Sequence, residues 1–223
     1  MKLAPSSAQL LELFLLQQEE DRKKITRELH DEVAQILTAI NFKLSMLSRN
    51  SNCTSELRVN IIDAQQMLVK SVDKINTFAR ELYPMILDDL GLVVALESYI
   101  KEFMKHSNIR VKFTTSLNLF EISEINKIVL FRVAQESLSN IAKHSKADEV
   151  SITIRKIKDH IQMAIRDNGI SFKLKKLGVQ IKNKQIGIIG IEERVKMVGG
   201  DFAITSSAAR GTLVKVRIPI VKR

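Results

Sequence analysis

The chain has 223 residues, of which 45% are hydrophobic and 27% charged, with three prolines, one cysteine and a formal charge of +10. It can bury two modest cores, and it excludes an internal disulfide framework. No apolar run reaches the roughly 20 residues of a membrane helix, and Met1 to Glu20 carries no secretory signal. The expectation is a cytoplasmic protein whose charge suits an acidic partner, either nucleic acid, a membrane surface or a nucleotide. With 5% aromatics, no zinc-ligand spacing and no interleaving of aromatic and basic residues, general nucleic-acid binding is a weak second choice, and much of the charge is solvated lysine.

A long helix is predicted from about Ala8 to Leu47, with Gln17 to Lys24 as a polar section. Its apolar positions Ile25, Leu29, Val33, Ile36, Ile40, Leu44 and Leu47 are spaced by fours and threes, as a seam facing partner helices requires. His30 falls just off that seam, where its ring stands in water within reach of a second protein or a nucleotide phosphate. Asp31 follows it directly, and Gln35 lies five positions on. A lone surface histidine on a helix ordinarily does nothing, so the case for this one rests on its company.

Asn50 to Ser55 reads as a turn, and Cys53 within it as an ordinary surface thiol. A second seam follows at Leu57, Ile61, Ala64, Leu68, Val72, Ile75, Ala79 and Leu82. Two such helices form a hairpin with one apolar stripe, which is half a core. Pairing two hairpins completes a four-helix bundle, so a homodimer is predicted. Pro84 ends or bends the second helix, and the boundary near Leu87 divides the chain into 1–86 and 87–223.

Past Asp88-Asp89-Leu90-Gly91, the positions Leu92, Leu96, Tyr99, Ile100 and Phe103 share a helical face. Helix and strand patterns then alternate: a strand at Ile109 to Thr115, a helix at Ser123 to Lys146, strands at Glu149 to Ile157 and His160 to Asp167, a helix at Gly187 to Val198, and strands at Asp201 to Ser206 and Thr212 to Ile220. The fold class is therefore α + α/β, a helical hairpin followed by a two-layer α/β sandwich.

The sandwich carries a second polar constellation. On the helix from Ser123, Leu130, Ala134, Leu138 and Ile141 make a buried face, and Arg132, Glu136, Asn140 and Lys143 or His144 make a polar stripe. A solvated face with an ion pair is the ordinary reading of such a stripe. Asn140 departs from it, because its amide oxygen suits a hard cation beside a phosphate. Asp167 shares the parity of Ile161, Met163 and Ile165 and so points inward. An inward carboxylate must meet donors, at roughly 1.5–3 kcal/mol for each hydrogen bond to a charged group, which is enough to select an adenine amino group. Gly169 leaves room for a ring. Gly187-Ile188-Ile189-Gly190 opens a helix whose free amides favour phosphates, and Gly211-Thr212 forms a floor to the same pocket. Between Asp167 and Glu192 there is no acid but five lysines, at 173, 175, 176, 182 and 184, which suit either a phosphate-covering lid or a solvated loop.

In this order the pieces resemble a sensor histidine kinase of a two-component system, from about Glu20 to Ile220, in the subgroup that includes nitrate sensors and a membrane-fluidity thermosensor. The matching motifs are Arg27-Glu28-Leu29-His30-Asp31 with Gln35, Leu82-Tyr83-Pro84 with Leu87-Asp88-Asp89-Leu90-Gly91-Leu92, and Gln135-Glu136-Ser137-Leu138-Ser139-Asn140 with Lys143-His144. Asp167-Asn168-Gly169, Gly187 to Arg194 and Gly211-Thr212 complete the set.

The resemblance implies that His30 is phosphorylated from ATP and passes the phosphoryl group to an aspartate of a response regulator. It implies Asp31 as the base on the ring, Gln35 as the residue that positions water for dephosphorylation of the regulator, and Asn140 as the Mg2+ ligand with Glu136 beside it. Lys143 and His144 then lie near phosphates and Asp167 reads adenine. Two departures stand out. The wider family's second glycine is replaced by Ser171, which leaves a nucleotide-binding signalling scaffold or phosphatase with weak or no kinase turnover as the rival reading. No sensor domain precedes the helices, so the expectation is a fragment of a longer receptor or a free kinase governed by a partner.

Overall fold

The computed structural model describes residues 7–50, 54–116, 122–170, 183–207 and 211–220, with the side chains of 7–12 and 183–186 left aside. One compact unit spans Leu13–Met85, and a second takes in Ile86–Arg223.

The first unit is a helical hairpin. Helix α1 (Ser7–Glu28) passes through a five-residue π turn (Leu29–Val33) into α2 (Ala34–Ser48), and α3 (Ser55–Leu82) returns. Thr54 caps α3, its hydroxyl accepting from the Leu57 amide at 3.3 Å. The helix stops because Tyr83 precedes Pro84 and adopts an extended conformation (φ −152°, ψ 121°). Polar contacts set the hairpin register: Gln65 donates to the Asn41 side chain at 3.1 Å and to the Ser45 hydroxyl at 2.8 Å. Much of both seams remains in water. Ile61 and Ala79 are buried, whereas Ile36 is 59% exposed, Leu47 55% and Leu57 50%.

The uninterrupted α-helix expected through His30 is corrected here. The turn from Leu29 to Val33 holds one residue more than an α turn, which rotates the apolar positions after it relative to those before it.

The second unit is a mixed five-stranded sheet with helices on one face. Helix α4 (Ile86–Ser107) leads to β1 (Arg110–Thr115), α5 (Glu124–His144), β2 (Glu149–Ile157), β3 (His160–Asp167), α6 (Asn183–Met197), β4 (Asp201–Ser207) and β5 (Gly211–Pro219). Strand order is β1-β2-β3-β5-β4; β1 runs parallel to β2, and the remaining pairs are antiparallel. Helix α4 breaks at Gly91 (φ 80°, ψ −178°), a conformation open to glycine, and Asp88 and Asp89 sit in its first turn where the helix dipole favours acids.

The core forms where Ile152, Ile154, Ile161, Met163, Ile165, Val216 and Ile218 of the sheet meet Leu92, Leu96, Leu130, Phe131, Leu138 and Val195 of the helices. Tyr99 of α4 meets Phe131 of α5 edge-on at 5.6 Å. Asn126 donates to the Pro219 carbonyl at 3.1 Å and ties the start of α5 to the end of β5.

Candidate functional site

In the hairpin unit, the side chains of His30 and Asp31 are 69% and 66% exposed. Their contact, Nδ1 to Oδ1, is 3.1 Å. A carboxylate on Nδ1 favours the tautomer with its proton there, which leaves the Nε2 lone pair directed at solvent as a nucleophile. The π turn that carries the pair is a deviation often associated with functional positions, and periodicity alone gave no sign of it. Gln35 is exposed near the start of α2.

In the sheet unit, the second half of α5 is the spine of the site. The Asn140 amide nitrogen donates to Glu136 Oε1 at 3.0 Å, and both side chains are half-buried. That bond engages the nitrogen of Asn140 and leaves its oxygen for a cation. Lys143 and His144 are exposed in the last turn of the helix. Arg132 departs from the expected polar stripe: it is 6% exposed and donates to Gln135 at 2.7 Å, because α5 is packed against the sheet and against both α4 and α6.

Contacts join the remaining predicted residues to this spine. A Cβ on Gly187 would collide with the Glu136 carboxylate and lie 3.4 Å from the Asn140 amide nitrogen, so α6 approaches α5 at the Glu136–Asn140 pair. At the end of α5, the Ile170 amide donates to the Ser145 carbonyl at 2.7 Å. Gly169 sits directly on that carbonyl. Asp167 is 4% exposed, and its Oδ1 accepts from the Gly169 amide at 2.8 Å. An ionised carboxylate accepts through both oxygens, so the second suits a ligand's amino group. Gly211 (φ 67°) lies against the Asp167 carbonyl, and Thr212, 7% exposed, pairs its hydroxyl with that of Ser206 at 3.1 Å.

Two of the physical reasons expected for the glycines are corrected. Helix α6 begins at Asn183, so Gly187 and Gly190 lie inside it with their amides engaged in the helix rather than free. Gly187 is needed because α6 crosses close to Glu136. Gly169 likewise faces the Ser145 backbone and has no room for a ring on that side. Ser171 and the lysines at 173, 175, 176 and 182 lie outside the described residues, as does the side chain of Lys184.

Asn168, which sequence reasoning gave no role, is a clamp. Its side-chain oxygen accepts from the Asp148 and Glu149 amides at 3.2 and 3.1 Å, and its nitrogen donates to the Asp148 carboxylate at 2.6 Å. It fixes the segment after β3 to the start of β2, one residue from Asp167. The hydrogen bond from Asn168, helped by Arg110, holds the Asp148 carboxyl below the usual aspartate range. Among the described residues no three His, Cys, Asp or Glu side chains cluster to hold a metal. A cation here would depend on Asn140 and on oxygens of a bound phosphate, which is how Mg2+ is commonly held.

Residues 21–87 match the family model described as histidine kinase, and residues 125–222 match the one described as histidine kinase-, DNA gyrase B-, and HSP90-like ATPase. These two stretches belong to histidine kinase families. The chain is 33% identical over 203 residues to the oxygen sensor histidine kinase NreB of Staphylococcus carnosus, covering 91% of this chain and 57% of that one. It is also 33% identical over 205 residues to the signal transduction histidine-protein kinase/phosphatase DegS of Brevibacillus brevis, covering 91% and 52%. The chain thus spans about half the length of the curated relatives it matches. The blue-light activated histidine kinase of Erythrobacter litoralis EL346 shares its fold, at 16% identity and a TM-score of 0.50, over 77% of this chain and 63% of that one. Among the described residues no helix is long and apolar enough to cross a membrane.

Proposed function

We propose that the chain is an ATP-dependent protein histidine kinase that phosphorylates His30 and passes the phosphoryl group to an aspartate of a response-regulator receiver domain. The observation that carries this reading is the exposed imidazole of His30, held at Nδ1 by Asp31 in a chain whose second unit is of the ATPase family. As Nε2 attacks the γ-phosphorus, the bond from that phosphorus to the β,γ-bridging oxygen breaks and ADP leaves with its electron pair, while Asp31 accepts the Nδ1 proton that the ring gives up. Residues 1–86 serve as the dimerisation and phosphoacceptor domain and 87–223 as the ATP-binding domain.

In the ATP-binding domain Asp167 accepts from the adenine amino group, and Asn140 would hold Mg2+ through its oxygen, the ion supplying neutralisation of phosphate charge. Glu136 fixes the Asn140 amide, Lys143 and His144 attract the phosphates, and Gly169, Gly187, Gly190 and Thr212 shape the pocket. The chemistry is mostly positioning and charge neutralisation. Gln35, exposed one turn beyond His30, orients water when the same protein dephosphorylates its regulator; DegS is named a histidine-protein kinase/phosphatase, which supports a phosphatase activity. The exposed apolar residues Ile36, Ile40, Leu47, Leu57 and Met67 support a homodimer, because water-exposed seams on both helices need a second hairpin. An upstream sensor domain or partner supplies the signal, and the site of action is the cytoplasm.

Incubation with Mg2+ and labelled ATP tests the proposal. Acid-labile, alkali-stable phosphate is expected on the wild type, none on His30→Gln, and a severe loss on Asn140→Ala. Label that persists in His30→Gln would refute the acceptor. Undetectable binding of a non-hydrolysable ATP analogue at millimolar concentration would favour a scaffold instead.

A further inference from the structure

The helices of the sheet unit cover one face of the sheet, and the other face is exposed and basic. Strand register assigns the outward positions. Arg110 and Lys112 lie on β1, Arg155 on β2, Arg166 on β3, and Lys215 and Arg217 on β5; all six are exposed. The outward acids are Glu149 on β2, beside Arg110 in the register, and Asp201 on β4, beside Arg217. Arg110 is further engaged with Asp148 at 3.7 Å. The other five cations form no ion pair among the described residues, though Arg217 also meets the His160 ring at 3.3 Å.

Between the charges lie hydroxyl groups, from Ser151, Thr153, Thr205 and Ser207, and small or aliphatic side chains, from Ala164, Ala203 and Leu213. No outward position on these strands is Phe, Tyr or Trp, though the His160 ring stands at one of them. A depression of about 420 Å³ crosses β3, β5 and β4, with the cations Lys158, Lys215 and Arg217, the carboxylate of Asp201 and the ring of Phe202 among its lining residues and Ile157, 40% exposed, at its rim.

We propose that this outer sheet face docks on an anionic phospholipid bilayer, with a headgroup phosphate in the depression beside Lys158, Lys215 and Arg217. Charge complementarity identifies the chemistry. The spread of the cations selects a bilayer among anionic partners: they occupy four adjacent strands about 4.8 Å apart, so the matching anion extends in two dimensions. A single acidic peptide would cover one row of such a grid. Duplex DNA presents a curved ridge of phosphates better met by a helix or a strand pair in a groove, and single strands are held on a succession of aromatic platforms, where this face offers the Phe202 ring in the depression and the His160 ring beside Arg217. Contact is electrostatic and shallow, with Ile157 and Leu213 as the apolar elements able to enter the headgroup layer. Because α5 and Asn140 lie on the opposite side of the sheet, a docked domain keeps its nucleotide-site residues open.

The test is co-sedimentation of the purified full chain with vesicles of phosphatidylcholine alone or with 30 mol% phosphatidylglycerol, at low and moderate salt. Binding to the anionic vesicles, weakened by salt, is expected. Removing and reversing two charges by Lys215→Glu with Arg217→Glu should weaken partition by at least about 10-fold, given the attraction of each basic residue to an anionic surface. Lys70→Glu with Lys74→Glu on α3 makes the same change in net charge and should leave partition within about twofold of wild type. Binding of a fluorescent ATP analogue reports that each variant is folded. Equal loss in the α3 variant, equal pelleting with neutral vesicles, no pelleting with anionic vesicles, or tighter binding of duplex DNA at matched phosphate concentration would each overturn the proposal.

Discussion

Gly187→Ala separates the stability of this protein from its chemistry. The position lies inside α6, where alanine is favoured over glycine by about 0.5–1 kcal/mol. The new methyl group falls on the Glu136 carboxylate, the mobile end of a side chain, so the fold can yield by turning that side chain aside. Turning it aside breaks the 3.0 Å bond that orients Asn140. A hydrogen bond to a charged group contributes about 1.5–3 kcal/mol. If that orientation serves the transition state, the rate of His30 phosphorylation falls roughly 10- to 150-fold. The melting temperature should stay level or rise. Initial rates of label incorporation are measured at saturating ATP, with thermal unfolding followed on the same preparations. A variant that phosphorylates at the wild-type rate would refute the role of the Glu136–Asn140 pair, and one that melts many degrees earlier would refute the geometry assigned to α6.

Gly211→Ala should behave in the opposite way. Its φ of 67° and its contact with the backbone of Asp167 and Asn168 leave nothing that can yield cheaply, so a loss of about 2–5 kcal/mol is expected in urea unfolding. Asp148 should contribute an acid-sensitive share of stability. Its carboxyl is held below the ordinary value of 3.8, so its contribution is full above that value and is lost as pH falls through the lowered one. Urea midpoints measured from pH 6 to pH 3 should therefore fall less steeply in Asn168→Ala than in wild type; parallel curves would contradict the clamp. Ile40→Asp with Leu47→Asp places charges on the exposed hairpin seam and should shift the protein from dimer to monomer in sedimentation equilibrium, with the sheet unit still folded by circular dichroism. A monomeric wild type would remove the basis for the paired bundle.

The elements themselves were readable along the chain because their physics is local. Fours and threes marked the hairpin helices, alternation marked β2 and β3, and the parity of Ile161, Met163, Ile165 and Asp167 placed that carboxylate inward. The residues of the candidate site were legible as motifs, and the reasons for several of them were not. A glycine required by a neighbour resembles a glycine required by a turn until the neighbour is known. Gly187 answers to Glu136, 51 positions earlier, and Gly211 answers to the Asp167 carbonyl.

Residue type and spacing by themselves determined an amphipathic hairpin with a histidine off its seam, a sheet of alternating polarity and an inward carboxylate, because each depends on a repeat within one segment. Tertiary structure decided what depends on separate segments meeting. It buried Arg132 between packed helices, turned Asn168 into a tie to β2, and gathered cations from four strands onto one open face. The π turn at His30 belongs with these, since a single added residue in a helical turn leaves the order of the side chains unchanged and alters only where they point.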